Sequence, residues 1–244
     1  MRKAIRYLLL TTAVVLGLLG IAVLGLYKAA QREPVFYQEA MLAESGESAK
    51  SGDDLERRLF DLQNDARNVG TWEAVFTDEQ VNGWLVSDMP DKFPNVLPLG
   101  TQEPRVVIDA EAIRVACQFD NGKFKTIISM ALDVDLTTET NTLAVRVSQL
   151  RAGVLPVPLQ QFLKNISTAA SRGDIPLTWQ QIDGDPVALV TLPVTHEDYA
   201  HREIYVDKIE LRDGEIYLAG HTEQNAVPTL SASVQLGIKT AIHR

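Results

Sequence analysis

Cysteine is almost absent from this chain, because Cys117 is the one cysteine among 244 residues. A single thiol cannot form an intrachain disulfide, so the fold must be held by burial and hydrogen bonds. A Gly-rich phosphate loop, a G-x-S-x-G nucleophile motif and Cys/His spacing for a metal are also missing. These absences predict a protein that is not an enzyme, with no catalytic residue, no cofactor and no metal site.

Positive charge is scarce after the first 27 residues. Of the 23 Lys and Arg, three precede residue 28, whereas all 32 Asp and Glu follow it, so residues 28–244 carry a net charge of −12. Nucleic-acid phosphates require surfaces rich in Lys and Arg, so a nucleic-acid partner is excluded. The net charge also argues against docking of the domain on anionic lipid by charge.

One long apolar run is present, from Tyr7 to Tyr27, after the basic residues Arg2, Lys3 and Arg6. About 20 helical residues span the ~30 Å hydrocarbon core of a bilayer. Lys28 is unfavourable for signal cleavage after Ala30, which predicts an uncleaved single-pass anchor. We therefore expect a cytoplasmic tail at 1–6 and a membrane anchor at 7–27, with the rest extracytoplasmic, in the periplasm.

Residues 28–70 are predicted to be a juxtamembrane spacer and helix, and residues 71–244 an extracytoplasmic domain. The polar stretch at 33–52 is typical of a spacer. Apolar residues from Leu55 to Ala66 then follow a helical spacing. Thr77 and Gln80 match a capping box, and the helix that they begin is expected to end near Met89-Pro90.

Period-two alternation dominates the remaining sequence and predicts strands. It is clear at 113–119, 126–136 and 143–147, with Asn121-Gly122 as an expected type I′ turn. One amphipathic helix follows Pro158, and further strands are expected at 175–181, 187–192, 203–211, 215–221 and 230–238. Because strands and helices do not alternate as βαβ units, the fold class is α+β with a mostly antiparallel, curved sheet packed on one amphipathic helix.

Two motifs resemble the YpmS-like proteins, which are uncharacterised, membrane-anchored and bacterial. Residues 76–82 (FTDEQVN) are similar to their helix start, and residues 153–158 (GVLPVP) to their strand-to-helix corner. Such proteins are similar in outline to tubular lipid-binding domains, in which a curved sheet and a long helix hold lipid chains. The resemblance covers about residues 70–172. It implies handling of a lipid or another hydrophobic ligand, and it supplies no catalytic residue.

A ligand groove between sheet and helix is the leading hypothesis for a site. Its predicted wall is apolar and consists of Ile128, Met130, Leu132, Leu159, Phe162, Leu163 and Ile166. An anionic headgroup is expected to stay at the mouth, near Arg114, Arg146 or Arg151. The same pattern is typical of a helix packed on a sheet as plain core, and the sequence does not choose between the two.

Other polar clusters are weaker candidates. The loop with His196, Glu197, Asp198, His201 and Glu203 lacks metal-site spacing and is interpreted as solvated.

Asp133 and Asp135 are expected to face solvent, and Cys117 to be an inert buried thiol. Two functions stay open: a lipid-binding module at the membrane, or a scaffold of the cell envelope whose acidic surface meets a basic protein partner.

Overall fold

The computed structural model describes residues 21–22, 24–43, 48–94, 96–122, 124–173, 175–192, 194 and 202–224. In this part of the chain the fold is α+β, with two antiparallel sheets and a few short helices. The predicted fold class is confirmed at this level. The predicted strand at 230–238 and most of the predicted anchor at 7–27 lie outside the described residues.

The large sheet has seven strands. Six of them lie in the order β2-β3-β4-β5-β8-β7, and every neighbouring pair is antiparallel. A short strand, β6, pairs with the end of β5. The register shifts in two places, between Gln102 and Arg105 and between Ser129 and Ala131. The strands are β2 (Thr101–Ile108), β3 (Ile113–Asp120), β4 (Lys125–Leu136), β5 (Thr142–Ala152), β6 (Leu155–Pro156), β7 (Leu177–Ile182) and β8 (Asp185–Thr191).

The small sheet joins strands that are far apart in sequence. It consists of β1 (Gly70–Thr77), β10 (Glu215–Gln224) and β9 (Arg202–Arg212), with β10 in the centre. The pairing of β1 with β10 places Trp72, Phe76 and Leu218 on one face and Glu73 and Tyr217 on the other, and the register of β10 with β9 shifts at Ala219 and Gly220. This sheet therefore has one apolar and one polar face.

Two asparagine side chains connect the sheets and helices by imitating backbone. Asn82 donates from its amide to Val106 O (2.7 Å) and accepts from Val106 N–H (2.8 Å), at the outer edge of β2. Asn141, in the turn between β4 and β5, bonds in the same way to Ile204 O and Val206 N–H of β9. Both pairs of hydrogen bonds give partners to backbone N–H and C=O groups of β2 and β9 that would otherwise lack partners inside the protein.

The helices are α1 (Val35–Ala43), α2 (Ser48–Ala66), α3 (Asp78–Ser87), α4 (Met89–Lys92) and α5 (Leu163–Arg172), with a 3₁₀ turn at Leu159–Gln161. Helix α3 begins with the predicted capping box, since Thr77 Oγ accepts from Gln80 N–H (3.2 Å) and Gln80 Oε1 from Thr77 N–H (3.1 Å). Pro90 lies in the first turn of α4, a position that proline tolerates.

Two local predictions are wrong. Residues 35–43 are a helix and not a spacer. Helix α2 begins at Ser48, inside the stretch 33–52 that was predicted to be a spacer.

The β3–β4 turn is also longer than a two-residue hairpin, because Asn121 Oδ1 accepts from Phe124 N–H (2.8 Å). Gly122 has a positive φ and Asn121 does not, whereas a type I′ turn at Asn121-Gly122 requires a positive φ at both residues.

A helical segment at residues 24–30 leads into the large sheet. Ala30 O accepts from Thr126 Oγ (2.5 Å), and Ala29 O accepts from Val154 N–H (3.1 Å). The rings of Tyr27 and Phe124 meet edge to face, 6.4 Å apart. In the described part of the chain, no helix has both the length and the apolar character needed to cross a bilayer.

Candidate functional site

The two faces of the large sheet differ in how they are covered. One face, which we call the closed face, carries small and polar residues and is buried. Its members Ala116, Ile127 and Ala131 are 1%, 4% and 5% exposed. Tyr37 of α1 packs on Ala116 and Ile127, and its hydroxyl donates to Glu103 O (3.0 Å). The closed face is therefore ordinary core.

The opposite face of the three central strands, which we call the open face, is apolar and only partly covered. The large apolar side chains of this face that are named below are partly exposed, although they are bulkier than Ala116 and Ala131 of the closed face; Leu150, beyond the register shift in β5, is buried at 6% exposure. The pairing register places them side by side, with Val115 opposite Met130 and Leu132 opposite Val147. They are Ile113, Val115, Cys117 and Phe119 on β3, Ile128, Met130, Leu132, Val134 and Leu136 on β4, and Leu143, Val145 and Val147 on β5.

The surroundings of Cys117 on the open face partly exclude water from its thiol. Burial raises the pKa of its thiol to about 11, because the thiolate would lose hydration there. A side chain that is partly exposed yet strongly desolvated lies in a recess and not on a flat wet surface. A thiol with so high a pKa is a poor nucleophile at neutral pH, as the sequence predicts.

Helix α5 borders the open face on one side. It packs on β7, where Ser167 Oγ accepts from the indole N–H of Trp179 (2.9 Å). Trp179 shares the open face with Val145, through Ala188 of β8. Phe162, Leu163 and Ile166 are partly exposed, like Leu159 of the preceding 3₁₀ turn, whereas Lys164, Asn165 and Thr168 face solvent.

The predicted wall residues thus fall into two groups. Ile128, Met130 and Leu132 are adjacent on the floor of the open face, on β4. Leu159, Phe162, Leu163 and Ile166 belong to the border formed by the 3₁₀ turn and α5, whose main neighbour is β7. The arrangement leaves apolar surface between floor and border.

The chain matches no family model and no curated protein. The likeness to YpmS-like proteins therefore stays a prediction, and the candidate site depends on the geometry alone.

The three arginines predicted for the mouth of the groove lie on the closed-face side. Arg114 pairs with Ala131, Arg146 with Asp133 and Arg151 with Ser129, all in the register of that face. Arg114 and Arg146 also form ion pairs, with Asp109 (2.8 Å) and Asp185 (3.1 Å). For Arg114 and Arg146 the prediction of a headgroup site is wrong, because each alternates with apolar open-face residues and so lies on the opposite face.

A cavity of about 540 Å³ lies elsewhere, between α3, α4, the loop that precedes β2 and the first half of β2. Apolar side chains dominate its lining, among them Met41, Val86, Phe93 and Leu97. None of the predicted wall residues reaches it. Its size suits a small molecule, so it competes with the open face as a ligand site.

The remaining polar candidates form no site in the described residues. Asp135 is exposed and Asp133 partly exposed, each without a second acid aimed at a common point. Within the described ranges no group of three or more His, Cys, Asp or Glu could hold a metal ion. His196, Glu197, Asp198 and His201 lie outside those ranges.

Sequence reasoning missed the residue that makes the two faces different. Tyr37 lies in the stretch predicted to be a spacer, yet it is 3% exposed and covers the closed face. The run Val35-Phe36-Tyr37, together with Met41, could have revealed it. Apolar residues spaced like Phe36, Tyr37 and Met41, at i, i+1 and i+5, are unusual in a solvated linker.

Proposed function

We propose that the open face binds a lipid or another hydrophobic ligand, in an extracytoplasmic domain held at the cell membrane by residues 7–27. The observation that supports this most is the continuous, partly exposed apolar surface on three neighbouring strands. Soluble domains rarely leave contiguous apolar surface open without a binding role.

The finer architecture belongs to the same proposal. We infer that the register shifts on β2 and β4 bend the sheet, since bulges add local twist and curvature. Floor and α5 would then enclose a ligand between them. This shape is what the resemblance to tubular lipid-binding domains implies.

Energetics favour a long apolar ligand. Each buried CH₂ contributes about 0.8 kcal/mol, so ten contribute about 8 kcal/mol. Association itself costs about 4 kcal/mol or more, which cancels a large part of that gain. An acyl chain that covers most of the floor therefore binds measurably without a polar contact, whereas a short apolar molecule does not.

Native mass spectrometry of the purified full-length protein in mild detergent tests the proposal. We expect co-purified lipid on the wild type and its loss from Met130→Glu, because the carboxylate would be desolvated by an acyl chain that covers the floor. Val86→Glu is the matched control, since it places the same charge in the competing cavity. Each variant is compared only after circular dichroism shows native secondary structure.

The outcomes separate the two sites. Lipid lost from Met130→Glu and kept by Val86→Glu supports the open face. The reverse result assigns the ligand to the cavity and returns the open face to incompletely covered core. A wild type that carries no lipid in any extract contradicts lipid binding altogether.

A second function has an observation of its own, on the polar face of the small sheet. Glu73 accepts from Tyr217 OH (2.8 Å), Asp207 meets His221 Nδ1 (2.6 Å), and the rings of Tyr205 and His221 stack. Partly exposed aromatic rings among carboxylates are suited to a basic protein partner.

Charge reversal distinguishes this scaffold role from ligand binding. Glu73→Lys with Asp207→Lys should abolish capture of a partner by the purified chain while leaving the lipid signal unchanged. Capture that survives the reversal would contradict a role for this face.

A further inference from the structure

The large sheet has two ends, and one of them adjoins the N-terminal helical segment. The turn that contains Phe124, the start of β4 at Thr126 and the corner at Gly153 all contact residues 27–30. Strand β4 runs from this end to Leu136, about 36 Å away at ~3.3 Å per residue. We call the first the anchor end and the other the distal end, where Asn141 meets β9.

Gly153 makes the joint at the anchor end close. Its φ is +60°, and a Cβ atom there would overlap the backbone carbonyls of Ala29 and Ala30. Glycine therefore permits both the left-handed backbone and direct contact between helix and sheet. The anchor end is held against the segment that continues the apolar run, and no long tether separates them.

Exposed large apolar side chains collect at this end. Leu99 is 97% exposed and Val35 is 68% exposed, and Tyr27 and Val154 are exposed as well. Gly100, next to Leu99, accepts from Asp120 N–H (2.8 Å) at the base of the β3–β4 turn, which fixes Leu99 near Phe124. Val154 donates to Ala29 O. Four exposed apolar residues, Tyr27, Val35, Leu99 and Val154, thus lie around the point where the chain enters the sheet, and we call them the apolar rim.

Basic side chains accompany the rim. Lys28, Arg32, Lys125 and Arg151 are exposed, and none of them forms an ion pair with another described residue. Carboxylates of Glu33, Glu103 and Asp120 lie there too. This end is therefore not acidic like the rest of the domain, and its long cationic side chains can reach lipid phosphates while the apolar residues sit deeper.

We propose that the apolar rim docks on a phospholipid bilayer, the one in which the proposed function places residues 7–27. Apolar side chains beside Lys and Arg are the composition that binds the headgroup–acyl boundary. A water-soluble partner protein fits less well, because the apolar run from Tyr7 to Tyr27 continues directly into the rim. Docking would fix the strands of the large sheet with one end at the lipid surface, so that a lipid enters the open face from that end.

Depth-dependent fluorescence quenching in lipid nanodiscs tests the proposal. The full-length chain carries Cys117→Ser and one new cysteine, at Leu99 in the rim or at Thr138 in the exposed distal turn, labelled with an environment-sensitive dye. Phosphatidylcholine nanodiscs contain a quencher attached to the lipid. We expect strong quenching at residue 99 and none at residue 138. A dye at residue 99 that stays in water, like the dye at residue 138, overturns the proposal.

Matched pairs of substitutions test the rim itself. Val35→Glu with Val154→Glu should reduce the quenching at residue 99 several-fold. Leu59→Glu with Phe60→Glu makes the same change at exposed apolar residues of α2, away from the anchor end, and should leave it unchanged. Equal loss from both pairs would contradict a specific rim. Lipid bound to the open face is counted separately by native mass spectrometry, so failure of docking is distinguishable from failure of ligand binding.

Discussion

The two faces of the large sheet use side-chain size in opposite ways. The closed face has a small residue at Ala116, which together with Ile127 packs against the buried Tyr37 ring of α1. The open face has large apolar residues that stay partly exposed on the central strands, and α5 contacts β7 at its border. Burial on this sheet is therefore decided by which face is covered and not by hydrophobicity. Apolar surface left uncovered in this way is what a ligand requires.

The largest expected effect on unfolding free energy comes from placing one charge on each face in turn. Ile127→Glu puts a carboxylate into the closed face and loses a buried side chain, so we expect a cost of about 4 kcal/mol or more, enough to prevent folding. Met130→Glu lies three residues away on the same strand but on the open face, where water can reach it, and should cost about 1–2 kcal/mol. Urea unfolding followed by circular dichroism measures both. Equal costs would mean that the open face is closed core.

Removal of the cover is the next largest effect. Tyr37→Ala deletes a buried ring and leaves Glu103 O without its donor, so we expect a loss of about 3–5 kcal/mol of unfolding free energy. Phe36→Ala is the control, because Phe36 packs on the same cluster but is only partly buried. The urea midpoint should fall much less for this variant. A small change for Tyr37→Ala would contradict the role of α1 as the cover.

High pH tests the burial of Tyr37 on the closed face without removing its ring. Burial, assisted by the Glu103 carboxylate, raises the pKa of Tyr37 from 10.0 to about 12. The folded protein then keeps a proton that the unfolded chain releases, so stability is intact below pH ~10 and falls as the pH rises toward ~12, by about 2 kcal/mol. Tyr37→Phe should cost about 1 kcal/mol at neutral pH and remove this part of the decline. Urea midpoints of the two proteins compared from neutral to alkaline pH give the result, and parallel curves would contradict it.

The smallest effect is chemical and leaves stability unchanged. Because the pKa of Cys117 is raised from 9.0 to about 11, its thiolate fraction at neutral pH is lower by about 100-fold than that of a free thiol. Iodoacetamide should modify the folded protein about 100-fold more slowly than the urea-unfolded chain. Added lipid should slow the reaction further if it covers the open face. Unchanged reactivity in the presence of bound lipid would place that lipid elsewhere.

Local signals in the sequence were sufficient for much of the large sheet. Alternation predicted β3, β4 and β5, because one strongly apolar face gives a period of two. The capping box at Thr77 and Gln80 predicted the start of α3, since it depends on two side chains and their own backbone. Floor residues Ile128, Met130 and Leu132 were identified by the same alternation.

Features that depend on distant partners were not predicted. Strand β2 was not predicted, because its register shift hides the alternation and its outer edge depends on Asn82 and not on another strand. Tyr37 was missed since nothing local shows that a helix at 35–43 covers Ala116 and Ile127. Arg151 was assigned to the wrong side because β5 contains a bulged stretch before it, which changes the face of the residues that follow, whereas Arg114 and Arg146 lie opposite the apolar residues by simple alternation.

The small sheet determines when this protein can finish folding. Gly70 pairs with Thr222 and Thr77 with Glu215, so β1 needs the last described strand, whereas β2 to β5 pair with their neighbours in sequence. During synthesis the meander can form as it emerges, but β1 must wait with Trp72 and Phe76 unpaired. An apolar strand that waits so long is a target for chaperones and for aggregation. Truncation before β10 should therefore give an insoluble chain, even though every strand of the large sheet is present.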